Sequence, residues 1–286
     1  MTLVNTKKVL MEAKKGKYAL GAFNVTTLDA IRGVIAAAEA ENSPVIMEYA
    51  EVHGDIIDLN TIGPIMVKEA KEAKVPVVVH FDHGQNLDLI KRALEIGFTS
   101  VMIDGAELAY EENIALTKKV VEMAKEYDAS VEAELGTMGS SESGEEVSGE
   151  AIYTDPAVAK DFVEKTGVDL LAVSFGTAHG LYIKKPVLDF ERLEELSRVT
   201  PVPLVMHGGS GLSDEEYIES VSKGVCKINY YSDLANKVAK EVTKKLCQYQ
   251  EEGKDAYIHD ISKWSIDVVK EDVSSRIKVF GSAGKA

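Results

Sequence analysis

The chain has 286 residues, with 32 basic against 47 acidic side chains and a formal net charge of −15. That balance argues against a nucleic-acid or anionic-membrane surface, where clustered Lys and Arg must meet phosphate. With 45% hydrophobic residues it can bury a sizeable core, and its length suits one α/β barrel as well as two smaller domains.

Strand-like and helix-like segments alternate throughout. A first strand is expected over Tyr18–Val25 and a helix over Asp29–Glu41. Ser43–Tyr49 and Thr61–Ala73 repeat the pattern, as do Val75–Phe81 and Leu87–Ile96. Thr99–Ile103 precedes a long amphipathic helix over Glu111–Tyr127. Ser130–Leu135 is the fifth strand. Pro156–Thr166 is a helix with Asp155 as N-cap and proline in its first turn. Leu170–Ser174, Phe190–Val199 and Pro203–Met206 follow. Ser213 then caps a helix over Asp214–Lys223. Val225–Ile228 and Leu234–Gln250 complete eight strand–helix pairs, and a further helix covers Ile261–Val279. That is the count for a (β/α)8 TIM barrel, expected as a single domain over residues 1–286. A doubly wound sheet would need a Gly-rich phosphate turn after the first strand, and Phe23-Asn24-Val25-Thr26 is not one.

Two cysteines, Cys226 and Cys247, do not make a disulfide framework and suit a reducing cytosol. The N-terminal segment lacks a signal-peptide core and no apolar run reaches membrane-spanning length. A cytoplasmic location is expected.

Barrel active sites sit at the C-terminal ends of the strands. The apolar run Val77-Val78-Val79 ends in His80-Phe81-Asp82-His83-Gly84, so Asp82 and His83 fall at that rim. Asp104 follows the fourth strand and Glu134 lies on the fifth. His179 follows the sixth, His207 the seventh, and Asn229 the eighth. For any one of these histidines, a satisfied ring in a polar loop is the plainer reading. Of the six histidines, however, His83, His179 and His207 share one face, and three imidazoles with an open fourth position make a catalytic zinc arrangement. His80 lies three residues before His83, an odd spacing that places it on the opposite strand face, in a supporting or packing role. His53 and His259 read as surface or structural. His207-Gly208-Gly209-Ser210-Gly211 follows the seventh strand, where successive N–H groups can form an anion nest. Lys227-Ile228-Asn229-Tyr230-Tyr231-Ser232 leads into a helix N-terminus, which favours anions. The Ser/Glu/Gly-rich segment 139–146 reads as a loop.

Together with Ser100-Val101-Met102-Ile103-Asp104-Gly105, Val131-Glu132-Ala133-Glu134-Leu135-Gly136 and His179-Gly180, these motifs resemble the class II, zinc-dependent ketose-bisphosphate aldolases. The match runs through nearly the whole chain, in order, to the ending Phe280-Gly281-Ser282-Ala283-Gly284-Lys285-Ala286. The resemblance implies reversible cleavage of a phosphorylated ketose to dihydroxyacetone phosphate and an aldehyde, through a zinc-stabilised enediolate. It implies one zinc ion per chain, held by His83, His179 and His207. Asp82 would move the proton at the aldehyde-derived oxygen, and Glu142 would be the base at the dihydroxyacetone phosphate carbon. Asp104 and Glu134 would support the ligands or hold a displaced metal. Asn24, Gly180, Lys184, Gly208, Gly209, Ser210, Asn229, Tyr231 and Ser232 would bind substrate. A monovalent cation near the phosphate and a homodimer or homotetramer are further implied, with the extra C-terminal helix as an interface element.

Departures from the family pattern bear on the sugar. Ile183 follows Tyr182 where relatives often carry lysine, and Lys184 comes one place late. Tyr230-Tyr231 stands where small or polar residues are usual, so one ring should face the pocket and the other pack behind it. Met47-Glu48-Tyr49-Ala50 replaces a glutamine and a phosphate-contacting serine, which would put a carboxylate, Glu48, where the aldehyde half sits. A lysine Schiff base could stabilise the same charge, but Lys227 is the only lysine near the strand ends. The alternatives are a barrel hydrolase or isomerase using the same zinc, or a non-catalytic subunit stabilising another aldolase.

Overall fold

The computed structural model describes residues 2–136, 153–177 and 186–286. Eight parallel strands close a barrel in chain order. They are β1 (Leu20–Asn24), β2 (Val45–Ala50), β3 (Val77–Gly84), β4 (Ser100–Ile103), β5 (Ser130–Leu135), β6 (Leu170–Val173), β7 (Leu204–Met206) and β8 (Val225–Asn229). Helices α2 (Leu28–Ala40), α3 (Leu59–Glu72), α4 (Leu87–Ile96) and α5 (Tyr110–Lys125) follow the first four strands in turn, with a short 3-10 turn between β2 and α3. The remaining strands are followed by α6 (Pro156–Thr166), α7 (Phe190–Val199), α8 (Asp214–Ser222) and α9 (Ser232–Glu251). The expected barrel is therefore present. No helix among the described residues is long and apolar enough to cross a membrane.

Every strand is buried along its length, as a sheet closed on itself and covered by helices requires. Helix starts fall where the sequence places caps. Asp155 Oδ1 accepts from Ala157 N and Val158 N ahead of α6, and Ser213 forms a capping box with Glu216 ahead of α8.

Two helices lie outside the strand–helix repeat. The first, α1 (Thr6–Gly16), was not expected. Its apolar side, Val9, Leu10 and Ala13, packs on Leu20, Ala22, Ile46, Val78, Leu170, Ala172, Val205 and Cys226, and so plugs the N-terminal end of the barrel. Lys14 Nζ donates to Thr200 O and Val202 O, both at 2.9 Å, tying the plug to the rim. The second, α10 (Ile258–Phe280), packs along α2 on its own barrel. The two approach closely because Gly33 has no side chain; a Cβ there would lie 2.6 Å from Val269 Cβ.

Alternation along the strands sorts the barrel interior into layers. Ile46 and Val78 belong to the apolar floor. Two residues on, Glu48 and His80 meet Glu132 and Lys227 in a charged middle layer. Two further on, Asp82 reaches the layer that holds His207 and Asn229.

Candidate active site and metal centre

The upper layer depends on an irregularity in β3. His83 has φ +46°, and the pairing of β3 with β4 shifts register between Phe81 and Gly84. A left-handed backbone at a non-glycine residue costs about 1–3 kcal/mol and persists only where its surroundings impose it. Gly84 makes the bend feasible, since a Cβ on it would lie 2.5 Å from Met102 O. The bulge breaks strict alternation, so the neighbours Asp82 and His83 both point to one place. The expected opposition of His80 and His83 is thereby corrected: both face the interior, with His80 one layer lower.

Donor atoms of Asp82, His83 and His207 lie within 4.8 Å of one another. His83 Nε2 is 2.8 Å from His207 Nδ1. The far nitrogen of each ring meets a carboxylate: His83 Nδ1 with Asp104 Oδ2 at 2.9 Å, and His207 Nε2 with Glu132 Oε1 at 2.8 Å. An ionised carboxylate only accepts, so those nitrogens carry the protons and the facing pair present lone pairs. Burial, and then the proximity of His83 and of the Lys227 ammonium, keeps the His207 imidazole well below its usual pKa and hence neutral. Two lone pairs this close make a donor set that suits a divalent cation. Glu134 Oε2 lies 4.0 Å from His83 Nδ1, so Asp104 and Glu134 stand beside His83, and the three form a second group able to hold an ion.

Asp82 is clamped on both oxygens. Asn24 Nδ2 donates to Oδ2 and Asn229 Nδ2 to Oδ1, each at 3.1 Å. Burial alone would raise its carboxyl, but the electrostatic pull of the neighbouring His83 ring and then of the Lys227 ammonium outweighs that and holds it well below the usual carboxylate range.

The layer beneath was largely missed from sequence. Lys227 Nζ lies 2.8 Å from both Glu48 Oε1 and Glu132 Oε2, with all three side chains fully buried. Although burial favours its neutral form, the two carboxylates raise the Lys227 pKa and keep it an ammonium. His80 Nδ1 is 2.7 Å from Ser100 Oγ, and burial, then Lys227, pushes its imidazole down to about 3. Glu48, expected where the aldehyde half sits, instead lies fully buried one layer below Asp82, paired with Lys227. Glu132 was not singled out; its two-residue offset from Glu134 on one strand was the available signal.

The glycine segment after β7 takes left-handed backbone at Gly208 (φ +62°) and Gly211 (φ +88°). Gly209 lets it approach β8, where a Cβ would lie 2.6 Å from Asn229 O. Asp233, in the first turn of α9, accepts from Gly211 N at 2.6 Å and donates its own N–H to Ser210 Oγ at 3.3 Å. Gly208, Gly209, Ser210 and Ser232 are thus gathered between the loop and the α9 N-terminus. Tyr230 packs inward on Phe23, while the Tyr231 ring lies 4.8 Å from that of His53. Of the two readings of His53, surface or structural, the first is overturned, because the ring is buried against Tyr231. His53 sits in a short 3-10 turn, Glu51–Asp55, directly after β2. Glu142, His179, Gly180 and Lys184 lie outside the described residues.

Residues 4–285 match the family model described as class-II fructose-bisphosphate aldolase. A fructose-bisphosphate aldolase of Geobacillus stearothermophilus is 39% identical, with 100% of this chain and 99% of that protein aligned. One from Staphylococcus aureus (strain Mu50) is 37% identical over the full length of both. Among solved structures, the YdjI aldolase of Escherichia coli K12 superposes with a TM-score of 0.85 at 34% identity, covering 99% of each chain.

Proposed function

Because the chain belongs to the class-II fructose-bisphosphate aldolase family, we propose that it reversibly cleaves a phosphorylated ketose to dihydroxyacetone phosphate and an aldehyde at a zinc centre formed by His83, His207 and His179. The observation that carries this reading is the pair of facing imidazole nitrogens, each ring fixed from behind by a carboxylate, with Asp82 alongside. When bound, the ion supplies positive charge to the ketone side as the neighbouring carbon–carbon bond breaks.

The chain's own residues do the rest. Asp82, ionised and clamped by Asn24 and Asn229, accepts the hydroxyl proton of the aldehyde half in cleavage and returns it in condensation. Glu142 handles the proton at the dihydroxyacetone phosphate carbon. The N–H groups of the Gly208–Ser210 segment and the start of α9 hold the phosphate, with a monovalent cation beside it. Lys227 is disfavoured as a Schiff-base nucleophile, since two carboxylates hold it protonated. The working form is a cytoplasmic homodimer or homotetramer.

The test is cleavage of fructose and tagatose 1,6-bisphosphates and of ketose 1-phosphates, with and without a chelator. Activity should vanish on chelation and return with zinc. Activity that survives complete zinc removal would overturn the metal route. Glu142→Ala should abolish exchange of the dihydroxyacetone phosphate C–H proton, whereas a hydrolase built on the same histidines would not need that carboxylate.

A further inference from the structure

His53 is 8% exposed, and its Nδ1 has no hydrogen-bond partner among the described residues. A buried polar atom left without a partner costs free energy that a ligand group can recover. Three features place the turn and the ring that carry it. The β2–β3 ladder pairs Ala50 with Asp82, so the turn that starts at Glu51 rises directly beside Asp82. Glu51 Oε2 accepts from Gln85 N at 2.8 Å and Asn86 N at 3.0 Å, pinning that turn to the loop after β3. The His53 ring is held against Tyr231, two residues after Asn229, and Asn229 itself clamps Asp82.

We propose that His53 is a specificity-determining residue that hydrogen-bonds a hydroxyl on the aldehyde half of the substrate. This rests on the aldolase reading above, in which Asp82 serves the aldehyde oxygen. Burial lowers the His53 pKa against the opposing pull of the Asp82 carboxylate, so the ring is a neutral donor and acceptor suited to a hydroxyl. Residues 44–67 contain no Lys or Arg, while Glu51, Asp55 and Asp58 lie in or just after the turn, so this wall is poorly suited to a phosphate. Ala50, at the end of β2, adds no polar group of its own.

The experiment is condensation of dihydroxyacetone phosphate with propionaldehyde, glyceraldehyde and glyceraldehyde 3-phosphate by the zinc-loaded enzyme. His53→Phe keeps a ring against Tyr231 and removes both nitrogens. Its kcat/KM for glyceraldehyde should fall about tenfold, the worth of one or two net hydrogen bonds, with propionaldehyde little changed. His53→Gln, which restores an N–H, should recover part of the loss. The glyceraldehyde-to-propionaldehyde ratio is internal to one preparation, so a partly misfolded variant still reports it; His53→Leu is the fallback if His53→Phe does not fold. Equal losses on both aldehydes, or none, would overturn the proposal. So would a loss on glyceraldehyde 3-phosphate exceeding that on glyceraldehyde, which would assign His53 to the phosphate. Wild-type exchange of the dihydroxyacetone phosphate C–H proton without aldehyde reports the aldolase reading separately, and His53→Phe should leave it intact.

Discussion

Glu132 Oε1 accepts the Nε2 proton of His207 at 2.8 Å, fixing which nitrogen of that ring faces His83. The carboxylate does this from inside the barrel, where no solvent competes. Glu132→Gln keeps an oxygen but loses the charge. Zinc affinity should drop about 10–100-fold, the usual effect of losing such a partner, as read by competition with a chromophoric chelator. Unchanged affinity would show that the tautomer is set by something else.

Lys227 lies between Glu48 and Glu132 with no exposure. Removing one member of a buried ion cluster leaves uncompensated charge, so Lys227→Met should destabilise the fold by about 3–5 kcal/mol in denaturant unfolding. Adding Glu48→Gln to that variant should restore part of the loss. A double variant no more stable than the single one would mean that Glu48 does not depend on the lysine.

Asp82→Asn retains the shape of the side chain while removing its ability to take a proton. Cleavage should fall about 10²–10⁴-fold, the range for loss of a general acid or base. Exchange of the dihydroxyacetone phosphate C–H proton should persist, because that step belongs to another group. Joint loss of both reactions would place Asp82 in metal binding rather than proton transfer.

Gly33 marks the closest approach of α2 and α10. Gly33→Val should cost about 1–3 kcal/mol by overpacking and lower the melting temperature. A neutral result would mean that α10 can shift away from α2.

The barrel was legible in the sequence because each buried parallel strand is a short apolar run and each covering helix a periodic one. Helix α1 was overlooked although Asn5 caps it and Val9, Leu10 and Ala13 share one side; it precedes the first strand, outside the repeat. Asp82, His83 and His207 could be placed from strand ends alone. The bulge at His83 could not, since nothing local distinguishes it from a continuing strand. Glu48 was misplaced because it was judged from the residues usual there in the family, whereas its place two residues before Ala50 puts it in the layer of Lys227. His53 lacked any neighbouring motif, and only folding brings it against Tyr231.

The apolar floor made by α1 closes the N-terminal end of the barrel. On the proposed zinc reading, an ion held by His83 and His207 would come and go by the same doorway as the sugar. Occupancy by the sugar should consequently imprison the metal, and chelators should strip the resting enzyme far faster than one at work on saturating substrate.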